Sequence, residues 1–415
     1  MTAFHRISSF WLIICLLSSL SSCGNAQGFD SKKINHRIIL GHEHIDKIVS
    51  LTEGKTVAIV GNHTSVLFSD IEYPSIHLVD TLISKGVNVL KVFAPEHGFR
   101  GDQANGAIIH DGIDTETGLP IVSLHGKYRK PSAESLEDID VVIFDIQDVG
   151  TRFYTYLSTL LLVMEAAAEN DVEVIVLDRP NPHCHHIEGP MLDPDFSSFV
   201  GLAPVPIIYG MTLGEIALMA NGEHWLNGGI QADLHIIACE NYTGTTFYSL
   251  PISPSPNLPT DASISLYPSL CFLEPTNVSI GRGTPTPFEL IGFPNNPIGT
   301  FSFTPVATHG AAPHPKHENT LCSGENLNKL GVKWMTNGHS WDLGILTKYA
   351  DLFRNKDGEL VDFFTSTSFF DKLVGTDELR LALESNLSID ALENSWEVDI
   401  ENFKTTRAPY LLYLR

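Results

Sequence analysis

Short apolar runs alternate with helical stretches along residues 44–180 of the chain. Four of these runs have the composition of buried strands, at residues 56–60, 87–93, 140–144 and 172–177. Between the last two, apolar residues recur at helical spacing, which predicts a helix over residues 155–170. Apolar strands separated by helices are typical of parallel sheets. The pattern therefore predicts an α/β fold with a Rossmann-like, doubly wound, mainly parallel sheet.

Each predicted strand runs directly into a loop of polar side chains. In chain order, these loops contain Asn62, then Glu96 and His97, then Asp145, Gln147 and Asp148, and finally Arg179 and Asn181. The carboxyl ends of parallel strands share one edge of a sheet, and folds of this type bind ligands there. Ordinary turn chemistry explains any single polar loop, but four such loops on the same predicted edge lead us to expect a functional site there.

The pattern changes after residue 182. Thr212 and Glu215 have the spacing of a capping box, which predicts a helix that runs to about Met219. Residues 251–259 include four prolines and predict a linker or a rigid domain junction. The segment that follows begins rich in glycine and proline and ends in helical patterns such as residues 377–385. We therefore predict a Rossmann-like domain over residues 44–250 and a second, smaller α+β domain over residues 251–415.

The N-terminus has the layout of an export signal. His5 and Arg6 precede an apolar run over residues 10–20, about half the roughly 20 residues that a membrane-spanning helix needs. The run ends in a serine pair and Cys23, which resembles a bacterial lipoprotein signal, whereas the alternative is an ordinary cleaved signal. We expect a lipoprotein signal peptide over residues 1–22, lipidation of Cys23, a tether over residues 23–43, and an exported protein in the periplasm or at the cell surface.

The charge balance limits the partners. Of the 415 residues, 49 are Asp or Glu and 26 are Lys or Arg, which gives a formal net charge of −23. So acidic a surface repels nucleic acid and anionic lipid headgroups. We therefore expect no nucleic-acid partner, and contact with a membrane only through the anchor at Cys23. Individual arginines can still hold a small anion.

The sequence lacks the motifs of several cofactor-dependent and hydrolytic families. The loop after the first strand has no dinucleotide-binding glycine pattern, and there is neither a P-loop nor a Gly-x-Ser-x-Gly elbow. The histidines of residues 183–186 are adjacent in a loop and therefore diverge, without a companion ligand set of metal-binding spacing. We expect neither a cofactor nor a metal.

Two carboxylate loops are candidates for catalysis. Glu96 lies just past a buried strand between Pro95 and His97, where partial desolvation would raise its pKa as a general acid requires. Asp145 and Asp148 form the second loop. Two such loops across a cleft are the usual arrangement of a glycosidase. The structural alternatives are a solvated glutamate and an ion pair that fixes the start of a helix.

Several further motifs make the sequence resemble the exo-β-N-acetylmuramidases of peptidoglycan recycling, the NamZ-like family. The similarity extends from about residue 44 to the terminal residues 410–413. The matching stretches are residues 93–101, 144–150, 152–156, 178–182, 210–212, 255–259, 281–284 and 287–289.

The resemblance implies a Rossmann-like domain, a smaller C-terminal domain, and an active site between them that acts without a metal. It also implies hydrolysis of a non-reducing terminal N-acetylmuramic acid from peptidoglycan fragments. Glu96 matches the presumed catalytic glutamate of the family, and we expect it to protonate the glycosidic oxygen. Asp145 or Asp148 would stabilise the developing charge, activate water, or orient the acetamido group of the substrate.

Residues of these motifs and of other polar loops are candidates for substrate binding. Arg282 or Arg152 is expected to clamp the lactyl carboxylate, and Asn181, Asn257 and Asn277 to bind sugar hydroxyls. The remaining candidates are Asn62, His97, Arg100, Gln147, Tyr154, Arg179 and Glu274. Two other functions stay open: a disaccharide-releasing muramidase, and a non-catalytic lipoprotein that binds cell-wall sugars.

Overall fold

The computed structural model describes residues 37–68, 75–100 and 112–415. Residues Ile38–Arg415 form one compact unit, so the folded chain includes residues 38–43. The predicted signal peptide, Cys23 and most of the tether lie outside the described residues and stay predictions. Within the described ranges, every helix is too short or too polar to cross a membrane.

The strands of the described residues follow the predicted runs in the first half and continue into the second. In chain order they are β1 (Thr56–Gly61), β2 (Val66–Leu67), β3 (Ile76–His77), β4 (Asn88–Ala94), β5 (Gly112–Ile113), β6 (Pro120–Ser123), β7 (Val141–Asp145), β8 (Glu173–Leu177), β9 (Leu234–Ile237), β10 (Leu290–Phe293), β11 (Phe301–Phe303) and β12 (Cys322–Asn326). The four predicted strands are present as β1, β4, β7 and β8.

A seven-stranded sheet forms the centre of the N-terminal half, in the order β5-β6-β4-β1-β7-β8-β9. Only β5 is antiparallel to its neighbour. The six parallel strands therefore lie in the chain order third, second, first, fourth, fifth, sixth, which is the Rossmann arrangement. The order reverses between β1 and β7, and the crevice above such a reversal is where ligands bind. The predicted fold class is confirmed.

The central strands are buried on both faces, which explains their continuous apolar composition. Along β1, Ala58 and Val60 enter one hydrophobic core, whereas Val57 and Ile59 enter another on the opposite face of the sheet. Alternate side chains of a strand point to opposite faces, so both faces of β1 must be apolar. This burial fixes the register that carries all the polar loops to one edge.

The helices cover the sheet and build most of the C-terminal half. Their bounds are α1 (Ile45–Leu51), α2 (Leu78–Ser84), α3 (Ala133–Leu136), α4 (Tyr156–Glu169), α5 (Leu213–Gly222), α6 (Asp261–Leu270), α7 (Asn328–Asn337), α8 (Gly344–Asp351), α9 (Thr367–Val374), α10 (Glu378–Glu384), α11 (Ile389–Ser395) and α12 (Glu397–Arg407). Helix α4 confirms the helix predicted over residues 155–170.

The predicted capping box is present at the start of α5. Thr212 Oγ1 accepts a hydrogen bond from the backbone N–H of Glu215, and Glu215 Oε2 accepts one from the N–H of Thr212. Thr212 Oγ1 also donates to Asp178 Oδ2 at 2.7 Å, and the N–H of Gly214 donates to Asp178 Oδ1 at 2.8 Å. The loop after β8 is therefore fastened to the first turn of α5.

The C-terminal half contains a small antiparallel sheet, in the order β10-β12-β11, packed among helices. This is the smaller α+β portion that the sequence predicts. The proline-rich segment at residues 251–259 leads into it, and Ser255, Asn257 and Leu258 of that segment are buried. Pro254 accepts a hydrogen bond from Tyr154 of the N-terminal half and Asn257 donates one to Ala311 of the C-terminal half, so the segment contacts both halves.

The last residues of the chain return to the N-terminal half. The Tyr413 hydroxyl donates to Asp178 Oδ2 at 2.6 Å, and the N–H of Leu412 donates to Glu215 Oε1 at 2.8 Å. Arg415 forms an ion pair with Glu215 at 2.5 Å. We call residues 412–415 the C-terminal strap, since they bind Asp178 just after β8 and Glu215 in the first turn of α5.

Candidate active site

A cavity of about 230 Å³ lies at the carboxyl edge of the sheet, where the two halves of the compact unit meet. We call it the edge cavity. Its walls combine loops that follow the strands with residues of the C-terminal half. The lining residues are Glu96, His97, Phe153, Tyr154, Thr155, Tyr156, Val200, Ser255, Asn257, Leu258, Tyr267, Cys271, Glu274, Arg282, Phe288, Phe369 and Leu373.

The turn after β4 presents Glu96 to this cavity. Gly98 donates its N–H to the carbonyl of Pro95 at 3.1 Å and has a left-handed backbone, with φ at 80°. Thr155 Oγ1 donates to Glu96 Oε2 at 3.0 Å, and the Tyr156 hydroxyl donates to the Glu96 carbonyl at 3.3 Å. The start of α4 therefore orients a half-buried carboxyl group at the cavity wall.

Two buried tyrosines support the same wall. The side-chain amide of Asn62 donates to the Tyr156 hydroxyl at 2.9 Å, and the Tyr154 hydroxyl donates to the carbonyl of Pro254 at 2.8 Å. Burial raises the pKa of both tyrosines well above the usual range, with the charge of Glu96 adding to the effect. Both hydroxyls are therefore protonated donors at neutral pH, and Asn62 acts from behind the wall.

His97 is buried beside Glu96 and is neutral at physiological pH. Burial lowers its pKa to about 4, with the Glu96 charge opposing this shift and His63, His125 and Arg282 adding to it. Within the described residues its Nδ1 atom has no hydrogen-bond partner. A neutral imidazole in this cavity offers one donor and one acceptor to a ligand.

Asn257 presents an unused acceptor to the cavity. Its Nδ2 atom donates to the carbonyl of Ala311 at 2.9 Å, which fixes the orientation of the amide. Its Oδ1 atom is buried and has no partner in the described part of the chain. A hydroxyl or an amide N–H of a ligand would satisfy that oxygen.

Glu274 and Arg282 form an ion pair that also lines the cavity. Arg282 Nη1 lies 2.9 Å from Glu274 Oε1, and both side chains are about one-fifth exposed. The cavity thus contains two carboxyl groups, Glu96 and Glu274, and one guanidinium. Of the two arginines predicted to clamp the lactyl carboxylate, Arg282 lines the cavity.

Asp145, Asp148 and Gln147 do not line the edge cavity. Asp145 is fully buried, and its Oδ1 atom accepts a hydrogen bond from Arg179 Nε at 2.8 Å and forms an ion pair with Arg179 Nη2 at 2.7 Å. Burial raises the pKa of Asp145, and the Arg179 charge opposes the shift. Gln147 donates to the carbonyls of Asp148 and Pro180, both at 2.8 Å. These side chains hold the loops after β7 and β8 together.

Asp148 binds donors from its own turn and from a distant loop. The N–H of Gly150 donates to Asp148 Oδ2 at 2.6 Å, and the hydroxyl of Tyr209 donates to the same oxygen. Burial raises the pKa of Asp148 to about 6, although these hydrogen bonds oppose the shift. Its role in this structure is to join the loop after β7 to residue 209.

Arg152 and Arg100 are committed to other partners. Arg152 is fully buried and donates to the carbonyls of Pro190 at 2.9 Å, Val205 at 2.6 Å, and Val374. Burial lowers its pKa to about 9. Arg100 forms ion pairs with Asp114 at 2.7 Å and with Asp80 at 2.9 Å. Neither guanidinium lines the cavity.

Two of the predicted asparagine ligands bind backbone instead. Asn181 Nδ2 donates to the carbonyl of Met211 at 2.7 Å, and Asn277 Nδ2 donates to the carbonyl of Asp362. Neither residue lines the edge cavity. Of the predicted substrate-binding residues, those that do line it are His97, Tyr154, Asn257, Glu274 and Arg282, together with the catalytic candidate Glu96.

Sequence reasoning missed several wall residues. Thr155 and Tyr156 directly follow Tyr154 in one motif, so their position gave a usable signal. The aromatic wall from the C-terminal half, Tyr267, Phe288 and Phe369, carries no such signal, because apolar residues there look like ordinary core. Within the described ranges, no three His, Cys, Asp or Glu side chains lie together as a metal site.

Comparisons with known proteins agree with the motif resemblance. Residues 57–262 match the N-terminal model, and residues 265–413 the C-terminal model, of the family described as exo-beta-N-acetylmuramidase NamZ. The peptidoglycan beta-N-acetylmuramidase NamZ of Bacillus subtilis (strain 168) is 40% identical over 355 residues, which cover 79% of this chain and 80% of that protein.

Two crystal structures from Bacteroides fragilis NCTC 9343 have the same fold. Both are described as DUF1343 family proteins. The first has a TM-score of 0.81 and 42% identity, and the second has a TM-score of 0.72 and 29% identity. Each similarity covers 91% of this chain and 99% of the other.

Proposed function

Because the chain belongs to the exo-β-N-acetylmuramidase NamZ family, and is therefore a glycoside hydrolase, we propose that it releases non-reducing terminal N-acetylmuramic acid from peptidoglycan fragments. The Bacillus subtilis relative is named for β-N-acetylmuramidase activity on peptidoglycan. The observation that carries the proposal is the position of Glu96, a half-buried carboxyl group held at the wall of the edge cavity by Thr155.

In this proposal Glu96 is the general acid. It protonates the glycosidic oxygen as the bond breaks toward an oxocarbenium-like transition state. The hydrogen bond from Thr155 orients the carboxyl group, and the Tyr156 hydroxyl fixes the backbone of the turn. A general acid must lie within hydrogen-bond reach of the leaving oxygen, and this arrangement aims Glu96 into the cavity.

The other predicted catalytic carboxylates take a supporting role. Asp145 and Asp148 are buried outside the cavity lining, where they hold Arg179 and Tyr209. We therefore assign them to positioning the loops at the sheet edge. For the lactyl carboxylate we assign Arg282 rather than Arg152, since the Arg152 guanidinium is buried against three backbone carbonyls.

A substitution of Glu96 tests the proposal. We expect Glu96→Gln to reduce the hydrolysis of a chromogenic β-N-acetylmuramide by about 10³-fold, because the amide cannot donate an acidic proton. The wild type should not hydrolyse the matching β-N-acetylglucosaminide at a comparable rate. Mass spectrometry of the product from a peptidoglycan oligosaccharide then distinguishes release of the monosaccharide from release of a disaccharide.

Glu134→Gln is the matched control, since Glu134 is exposed on α3, away from the cavity. It should retain wild-type turnover, and both variants should melt at the wild-type temperature. A Glu96→Gln enzyme with wild-type turnover would remove Glu96 from the mechanism.

A further inference from the structure

A second cavity adjoins the edge cavity across the Glu274–Arg282 ion pair. It has a volume of about 370 Å³, and these two residues line both cavities. The rest of its lining comes from residues 279–280 and 312–316, all in the C-terminal half. We call it the proline cavity, after Pro313 and Pro315. A ligand group that passes the ion pair would enter it directly from the edge cavity.

The two cavities differ in the balance of charge along their walls. The edge cavity has the carboxyl groups of Glu96 and Glu274 against the single cation Arg282. The proline cavity has the cations Arg282 and Lys316 against the single carboxylate of Glu274. Whether Glu96 is ionised or protonated, the edge cavity has no net positive charge, so an anionic group of a ligand is attracted across the ion pair toward the proline cavity.

Lys316 supplies the additional positive charge. Its ammonium group donates to the carbonyls of Leu273 at 3.1 Å, Glu274 at 3.0 Å and Val278 at 2.9 Å. These bonds occupy its three N–H donors and fix the charge in place. Burial lowers the pKa of Lys316 to about 8, while Glu274 opposes the shift and Arg282 adds to it. Because burial disfavours the charged form of Lys316, an anionic group of a ligand nearby would stabilise that form.

The remaining wall of the proline cavity is mostly apolar. Ile280, Ala312, Pro313 and Pro315 contribute aliphatic surface, and exposed His314 lies at the same wall. The cavity thus suits a ligand group that joins one negative charge to a small aliphatic part. A sugar hydroxyl has neither property, and a neutral sugar gains nothing from the excess of positive charge.

We propose that the proline cavity receives the lactyl group of a muramic acid whose ring occupies the edge cavity. This assignment rests on the proposed function. The lactyl carboxylate faces Arg282, and the lactyl methyl group packs against the proline side. Lys316 does not touch the ligand in this arrangement, because its donors are used on carbonyls, so it acts through its charge.

A charge placed on His314 tests this assignment. We compare His314→Glu with His314→Gln, so that the loss of the imidazole is common to both variants. The ligands are N-acetylmuramic acid and its methyl ester, which has nearly the same shape but no charge, and calorimetry measures both affinities. His314→Glu should weaken binding of the acid by about threefold to tenfold relative to His314→Gln, and should leave the ester unchanged. An equal effect on both ligands, or no effect on either, would overturn the assignment.

Variants of Lys316 provide a second measurement. Lys316→Arg keeps the charge, whereas Lys316→Met removes it, so the preference for the acid over the ester should fall by about tenfold only in Lys316→Met. Melting curves establish that each variant is folded, and if Lys316→Met is not, the His314 pair decides. Because these affinities require no turnover, they are independent of the activity assay that tests the proposed function. An unchanged preference in folded Lys316→Met would contradict the role of Lys316.

Discussion

Asn257 contributes to the edge cavity a side-chain oxygen that is available to a ligand. One end of its amide is fixed by the carbonyl of Ala311, while the Oδ1 atom is buried without a hydrogen bond among the described residues. A buried acceptor without a partner costs about 1–3 kcal/mol, which a ligand donor recovers on binding. Asn257 was predicted to bind a sugar hydroxyl, and the acetamido N–H of the same sugar is an equally suitable donor.

We expect Asn257→Leu to weaken the binding of N-acetylmuramic acid by about tenfold, since a hydrogen bond to a buried acceptor is lost. The control is Asn296→Leu. Asn296 is 6% exposed against 5% for Asn257, and it lines neither cavity. Calorimetry measures both affinities. Equal losses in the two variants would mean that Asn257 acts only through stability.

The sequence predicts a site at the edge of the sheet but does not separate the residues that face the cavity from those that face the backbone. Asp148 binds Tyr209, which is 61 residues away in the chain, and Arg152 reaches the carbonyl of Val374, which is 222 residues away. Such partners become visible only after the chain has folded. Glu96 was identifiable because proline and glycine fix the shape of its short turn.

At the scale of elements, the N-terminus of α5 is joined to the loop after β8. Thr212 accepts from the N–H of Glu215 and donates to Asp178, so one hydroxyl satisfies both a helix terminus and a buried carboxylate. Burial raises the pKa of Asp178 to about 6, against the hydrogen bonds from Tyr413, Thr212 and Gly214. Loss of this hydroxyl affects both elements.

We expect Thr212→Ala to lower the free energy of unfolding by about 2 kcal/mol, the upper end of the range for an N-cap, because Asp178 also loses a donor. Thr212→Ser should retain most of the stability, since it keeps the hydroxyl. Urea denaturation of both variants provides the measurement. A loss in Thr212→Ser as large as that in Thr212→Ala would show that the methyl group, rather than the hydroxyl, matters.

A helix or strand can be predicted from the sequence when residues close to it in the chain determine its structure. Strands β1, β4, β7 and β8 are apolar because the layers packed on both faces of the sheet bury them, so the sequence alone reveals them. Strand β12 is polar and contains Gly324, which pairs with Gly292 of β10. A Cβ atom on Gly324 would lie 1.8 Å from the carbonyl oxygen of Ile291, so the pair requires glycine. Nothing local marks such a pairing.

At the scale of the whole molecule, two sets of buried groups oppose each other as the pH changes. Burial lowers the pKa of His77 to about 4, His97 to about 4 and His183 to about 3, so the stability that these residues provide is lost as the pH falls from about 6.5 through those values. Asp148 and Asp178 have pKa values raised to about 6, so their contribution is lost as the pH rises through 6.

Removal of one of these aspartates should therefore change how the stability of the protein depends on pH. We expect the stability of Asp148→Asn, relative to wild type, to increase as the pH rises from 4 to 6, by at most about 1.4 kcal/mol per pH unit. The asparagine oxygen can still accept from Tyr209 and Gly150. Urea denaturation at pH 4.5 and 6.5 measures the difference, with Asp399→Asn, exposed on α12, as the control. A stability difference between Asp148→Asn and wild type that does not change with pH would contradict the raised pKa of Asp148.

The C-terminal strap has a consequence for the biosynthesis of the protein. The carboxyl group of Asp178 receives one of its donors from Tyr413, 235 residues later in the chain. A ribosome completes β8 long before it reaches that tyrosine, so until the strap is made Asp178 has its donors from Thr212 and Gly214 but lacks the one from Tyr413. Until residues 412–415 arrive, Glu215 also lacks its ion pair with Arg415. The part of the protein made first is thus stabilised last.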